Sequence, residues 1–176
     1  MDRTRRRLAE ELYAASREHD AAQADRLERF RNVEPDTAKL LGVLIRATGA
    51  RRILELGTSN GYSTIWLADA AQATGGRVLS VDVDASRTEL ARGNLAAAGL
   101  GDQVQLRVED AASALAGAPD QAWEFVFLDA ERDQREHEHA GQAEYDDARA
   151  IESDHDEERA ARPAPDRMAG DERRAE

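Results

Sequence analysis

The chain predicts an α/β fold: a parallel sheet with helices on both sides. Three observations carry the prediction. Short apolar-rich runs at residues 52–56, 77–82, 104–108 and 124–128 alternate with stretches of helical periodicity. An acid or a glycine follows the end of each run. A tight segment, Gly57-Thr58-Ser59-Asn60-Gly61, separates the first run from the next helical pattern. Strand–helix repetition with right-handed crossovers gives a parallel sheet. Ligands of such sheets sit beyond the C-terminal strand ends.

Taken in order, residues 4–31 predict one long helix, with Leu8, Leu12 and Tyr13 on one face and Leu27 and Phe30 on another. Its charged flanks suit a cap on the domain or a meeting with a partner subunit. Val33-Glu34-Pro35 breaks the pattern. Asp36 is the expected N-cap of a second helix that buries Leu40, Leu41, Leu44 and Ile45 and closes at Gly49. After the first strand, a helix carries Ile65, Trp66 and Ala70 inward, and Thr74-Gly75-Gly76 turns the chain. The second strand, 77–82, ends in Asp82. Ser86 and Glu89 stand in capping-box spacing at the start of the next helix, with Leu90 and Leu95 inward and Gly99 at its end. Strand 104–108 alternates and leads through Glu109-Asp110 into a short alanine-rich helix stopped by Gly117 and Pro119. Residues 124–128 (EFVFL) are apolar enough to be buried on both faces, and the run stops at Asp129.

At 176 residues the chain has room for one domain with a sizeable core. A formal net charge of −12 argues against nucleic acid or an anionic membrane as partner. Without cysteine there is neither a disulfide nor a thiolate metal site. No stretch approaches the roughly 18 apolar residues of a membrane span, and the N-terminus lacks the apolar run of a signal peptide. A soluble cytoplasmic protein is expected.

The charge is uneven: net −5 over residues 1–134 and −7 over residues 135–176. The last segment has three large apolar residues, Tyr145, Ile151 and Met168, too few to offset the entropy of ordering it. The expected organisation is an N-terminal helical region (1–34), a sheet domain (35–134) and a disordered acidic tail (135–176). His137, His139 and His155 fall inside the tail's charge run and read as solvated residues, not as a zinc site.

The glycine loop has the spacing Gly-x-x-x-Gly. It is neither a P-loop nor the dinucleotide fingerprint, and no Gly-Lys-Ser/Thr follows. Glu55, two residues before Gly57, would repel a pyrophosphate but could hold a cation. Asp82, 25 residues after Gly57, is placed to accept from both ribose hydroxyls. Together these suit a cationic nucleoside without phosphate, S-adenosylmethionine. Asp110 could meet the adenine amino group, with the backbone of Ala111 nearby; the plainer role for both acids is helix capping.

LELGTSNGYSTIWLA, VLSVDVD and FVFLDAERD resemble the first, second and fourth strand motifs of bacterial class I O-methyltransferases of the catechol and caffeoyl-CoA group. RNVEPDTAKLLGVLIRATGARR resembles that group's lead-in helix. The resemblance covers residues 28–134 and implies a Rossmann-like methyltransferase sheet, of which the chain carries the first four strands. It implies that Glu55 and Gly57 line the methionine end of S-adenosylmethionine, with Gly61 of the same loop also binding the cofactor, and that Ser63 touches its carboxylate or amine. Asp82 would hold the ribose, and Ser59 and Tyr62 would form the pocket wall. Asp129 matches the acid that ligates magnesium in metal-dependent members. Arg132 stands where such relatives carry a catalytic lysine; it stays protonated, so it could stabilise a phenolate but not act as base. The implied substrate is a small hydroxylated molecule, and dimers are common in the group.

The group's pattern should continue with a fifth strand ending in Asp-Asn, which completes the metal ligands, and with two further strands. Residues 135–176 contain no strand candidate. The magnesium site is therefore expected to be incomplete, and the 124–128 strand becomes an apolar edge in a domain less stable than its full-length relatives. One lysine against 23 arginines, with abundant alanine, fits GC-rich coding. A tail of this composition fits a shifted reading frame and a genuine disordered segment alike. Three functions stay open: an O-methyltransferase, a domain that only binds S-adenosylmethionine, and an acidic interaction protein working through its N-terminal helix.

Overall fold

The computed structural model describes residues 1–130; Arg132 and the 135–176 segment lie outside the described residues. The elements are helices α1 (Arg3–Ala22) and α2 (Pro35–Thr48), strand β1 (Arg52–Leu56), α3 (Tyr62–Thr74), β2 (Arg77–Asp82), α4 (Ala85–Ala97), β3 (Val104–Val108), α5 (Ala111–Ala116) and β4 (Phe125–Leu128). The four strands are all parallel in the order β3-β2-β1-β4, so β1 and β2 are central.

The alternation of side chains along β1 and β2 sorts the core into two layers. Ile53 and Val78 face a cluster built from α2, α3 and α4, onto which Leu8 and Leu12 of α1 also pack. Leu54, Leu56, Leu79 and Val81 face the other way, toward Ala111, Ala114 and Trp123. Helix α3 is buried nearly all round, from Tyr62 to Ala71, as its apolar composition requires. Asp69, buried on α3, accepts from Arg5 of α1 (3.0 Å) and from Arg46 of α2, tying three helices together.

Four local expectations need correction. The N-terminal helix stops at Ala22 instead of running to residue 31. The Asp20 carboxylate accepts from the backbone N–H groups of Phe30 (2.7 Å) and Arg31 (2.9 Å), and Arg31 takes a positive φ of 52°, folding the linker back on the helix. His19 stacks on Phe30 at 4.3 Å. Glu34 occupies the N-cap position of α2 without a side-chain capping bond, with Pro35 in the first turn; Asp36 lies inside the helix and pairs with Lys39. Of the four residues expected on its buried side, Leu41 and Ile45 are buried while Leu40 and Leu44 are exposed. Helix α4 is capped by Asp84, which accepts from Ser86 and Arg87, so no Ser86–Glu89 box forms, and Leu90 is exposed.

The fourth correction concerns the last strand. It was expected to be buried on both faces, but only Phe125 and Phe127 pack on the core. Val126 and Leu128 point to the opposite face and are 42 % and 66 % exposed. Helix α5 has six residues and covers that face only at β1 and β2. Among the described residues β4 is an edge strand.

Candidate functional site

The C-terminal ends of the four strands bring Gly57, Asp82, Glu109 and Asp129 to one side of the sheet. Gly57 donates its N–H to Val81 O (2.8 Å), and Asp129 donates to Leu56 O (2.8 Å), so the loop after β1 is clamped between β2 and β4. Gly57 has φ +101° and Gly61 φ +83°. At Gly61 an added Cβ would lie 3.0 Å from Ala91, which explains glycine where α3 crosses α4.

Glu55 is fully buried. Ser63 Oγ donates to its Oε1 (2.6 Å), while Thr64 Oγ1 (2.5 Å) and Ser80 Oγ (2.7 Å) donate to its Oε2. Burial pushes its pKa up to about 7; the three hydroxyls oppose that shift, and the charge of Asp129 adds to it. A carboxylic acid held near its ionisation point at a strand end is poised to meet a positive charge.

Asp82 is half-buried at the end of β2. Its Oδ2 accepts from the N–H of Ser59 (2.7 Å) and its Oδ1 from the N–H of Asp84 (2.9 Å). Each oxygen keeps a lone pair for a further donor. Ser59 itself takes φ 49° and donates its hydroxyl to Phe30 O (3.1 Å), so the α1–α2 linker lies against the glycine loop. Arg87 donates to Leu27 O and to Arg29 O (3.2 Å) and holds the same linker from α4.

The other predicted residues fall less uniformly. Ser63 is buried and engaged with Glu55, so it reaches a ligand only beside that carboxylate. Tyr62 is in the core: its ring packs 5.3 Å from Tyr13 and shares a cluster with Ala9, Ala38 and Trp66, which makes it a support of the loop and not a wall. Asp110 is exposed and caps α5, accepting from Ser113 N (2.9 Å), and these bonds lower its pKa; Ala111 is half-buried at the start of that helix. Asp129 sits exposed at the rim. The atoms crowding its carboxyl raise its pKa, with the Arg31 guanidinium opposing. Among the described residues no group of three or more metal-ligating side chains comes together. Asp129 alone does not fit a magnesium site.

Several residues of this site were not singled out from the sequence. Thr64 and Ser80 complete the Glu55 environment. Asn60 ties the loop to α1 through Ser16 (2.7 Å), and Asn94 of α4 donates to Asn60 O (2.8 Å). The available signal was Ser80 itself, a hydroxyl inside an otherwise apolar strand.

Comparison with known proteins places these features in a family. The O-methyltransferase family model matches residues 9–141. The chain is 39 % identical over 125 residues to a catechol O-methyltransferase of Mycobacterium tuberculosis, covering 69 % of this chain and 53 % of that protein. It is 36 % identical over 104 residues to a catechol O-methyltransferase of Niastella koreensis, covering 57 % of this chain and 47 % of that protein. Among solved structures, the O-methyltransferase TomG of Streptomyces achromogenes in complex with S-adenosylmethionine superposes with a TM-score of 0.56 at 36 % identity, over 74 % of this chain and 54 % of that one. A Bacillus cereus O-methyltransferase in complex with S-adenosylhomocysteine gives 0.56 at 33 %, over 70 % of this chain and 54 % of that one. The chain spans about half the length of these relatives. With the family model matching well over half of its residues, and with the same parallel sheet, the chain belongs to the O-methyltransferase family.

Proposed function

We propose that the chain binds S-adenosylmethionine at the strand ends of β1 and β2 and serves methyl transfer to a hydroxyl of a small, phenolic molecule. The observation that carries this reading is the strand-end Asp82, which holds the glycine loop through the Ser59 N–H and keeps lone pairs free, with the buried Glu55 carboxyl at the base of the same loop. Glu55 meets the positively charged methionine end, beside Gly57, Gly61 and Ser63. The free lone pairs of Asp82 accept from the ribose hydroxyls, and Ser59 is held in place by that same carboxylate. Asp110 and Ala111 border the adenine side at the start of α5. Bound there, S-adenosylmethionine supplies an electrophilic methyl group on a sulfonium. Transfer to the acceptor oxygen would break the sulfur–carbon bond and form an oxygen–carbon bond, and the hydroxyl proton would pass to a carboxylate of the site or to solvent. Asp129, at the end of β4 on the same side of the sheet, is the described carboxyl nearest in role to the proton or the acceptor hydroxyl. Arg132 stands three residues on, outside the described residues, as the charge for a developing phenolate.

Calorimetry of the whole chain with S-adenosylmethionine tests the reading. Asp82→Ala weakens binding at least about tenfold, because hydrogen bonds to a charged partner are lost. Asp82→Asn, which keeps an acceptor for the Ser59 or Asp84 N–H, separates ribose recognition from loop support. Unchanged affinity in Asp82→Ala would overturn the ribose assignment. The second reading, a domain that binds without turnover, rests on Asp129 standing without a cluster of further metal-ligating side chains among the described residues. Clear cofactor binding with no methyl transfer to a panel of catechols would select it.

A further inference from the structure

Ser80 lies in the middle of β2, opposite Glu55 in the strand register, and is fully buried. A hydroxyl there is costly unless it is bonded. Its Oγ is 2.7 Å from Glu55 Oε2 and 2.6 Å from Thr58 Oγ1 of the glycine loop, and Thr58 is fully buried as well. An ionised carboxylate offers acceptors only. With Glu55 charged, Ser80 must donate to it, and Thr58 must then donate to Ser80. The order of protons along Thr58, Ser80 and Glu55 is thus set by one charge. When Glu55 takes up a proton, its own O–H needs an acceptor. Ser63 and Thr64 also donate to Glu55, but among the described hydroxyls on this carboxyl Ser80 has the second hydroxyl partner. It can accept from Glu55 and turn its own proton to Thr58.

We infer that Ser80 is a positioning residue for cofactor binding: it holds Glu55 as a carboxylate aimed at the cationic end of the ligand and passes the state of that carboxylate to Thr58 in the loop. The inference rests on the reading that Glu55 faces S-adenosylmethionine. Around Glu55, β2 and α3 present the hydroxyls of Ser80, Ser63 and Thr64. From β4 the register neighbour is Phe127, and the charge that acts on Glu55 is that of Asp129 beyond the strand end.

The test is the affinity of the full chain for S-adenosylmethionine between pH 6 and 9. Affinity falls as Glu55 takes up its proton. In Ser80→Ala the pH of that fall moves up by about one unit, because a donor to the charged form is gone. At pH 9 the affinity returns to within about threefold of the parent. Ser80→Thr, which keeps a hydroxyl, restores the parent profile. A loss by the same factor at every pH, or an unmoved profile, would overturn the inference. Should Ser80→Ala not fold, Thr58→Val, which removes the first donor at nearly constant volume, moves the fall in the same direction by a smaller step; an unmoved profile there overturns it too. If the parent chain does not bind S-adenosylmethionine at all, the proposed function fails, and the relay is read in the ligand-free protein. Its melting temperature then shows a pH step that moves upward in Ser80→Ala, and the absence of that movement sinks the relay.

Discussion

Glu55→Gln is expected to raise the stability of the ligand-free protein at pH 8 and to change it little at pH 5. Burial lifts the Glu55 pKa from an ordinary 4.5 to about 7. A carboxyl whose folded pKa lies above its unfolded value contributes stability fully below the unfolded value, and that contribution is lost as pH rises through the folded one. The window here is therefore about pH 4.5 to 7, and by pH 8 the folded chain carries a buried negative charge that costs about 3 kcal/mol. Gln keeps the shape and can be satisfied by the hydroxyls of Ser63, Thr64 and Ser80, which rotate. The melting temperature at pH 8 should rise by about 10 °C for a domain of this size. The same variant should lose S-adenosylmethionine binding at pH 8, since the charge that meets the ligand's cation is gone. Stability and binding then move in opposite directions, the usual mark of a functional residue. Scanning calorimetry at the two pH values decides the matter: equal destabilisation at both would mean that the hydroxyl bonds outweigh the buried charge.

The sheet was legible because its residues obey simple periods. β1, β2 and β3 fall where apolar runs are bounded by glycine or acid, and the helices that precede them close at Gly49, Gly75 and Gly99 with positive φ. What was not legible depends on contacts far apart in sequence. No glycine or proline marks the end of α1 at Ala22; the carboxylate of Asp20 captures two backbone N–H groups about ten residues later. The face of α2 was half misplaced because Leu40 and Leu44 belong to the same apolar stripe as Leu41 and Ile45, and only the position of α3 decides which pair is covered. At the candidate site, Glu55 and Asp82 stood out as acids at strand ends. Ser80 and Thr64 did not, because serine and threonine are common and their role appears only once β2 and α3 are docked on β1. Tyr62 misled for the converse reason: it lies next to the glycine loop in sequence, yet the first turn of α3 directs it into the core.

Gly57→Ala is expected to cost about 3–5 kcal/mol, because two penalties coincide. The residue sits at φ +101°, where an L side chain is strained. Its Cβ would also lie 2.6 Å from Asp129 O, 2.7 Å from Asp129 C and 2.9 Å from Ala130 N. These are backbone atoms and cannot rotate away. The loop cannot retreat either, since Gly57 N–H is bonded to Val81 O on β2, while on the other side Asp129 N–H is bonded to Leu56 O. Relief therefore requires the end of β4 to move off β1, which is easier for an edge strand than for a central one. Gly75→Ala is the control: φ is +71° there, but nothing lies within 4 Å of the added carbon, so only the conformational cost of about 1 kcal/mol remains. Chemical denaturation of the two variants should separate them by at least about 2 kcal/mol, and equal losses would show that β4 yields freely. A displaced β4 has a second consequence. It carries the Asp129 charge away from Glu55, and that charge favours proton uptake by Glu55. In a Gly57→Ala protein that still folds, the pH at which S-adenosylmethionine affinity falls should move down, opposite to the movement expected for Ser80→Ala. The two variants flank the same carboxyl from β4 and β2, so opposite shifts would locate the charge that the ligand meets at Glu55 and not at Asp129.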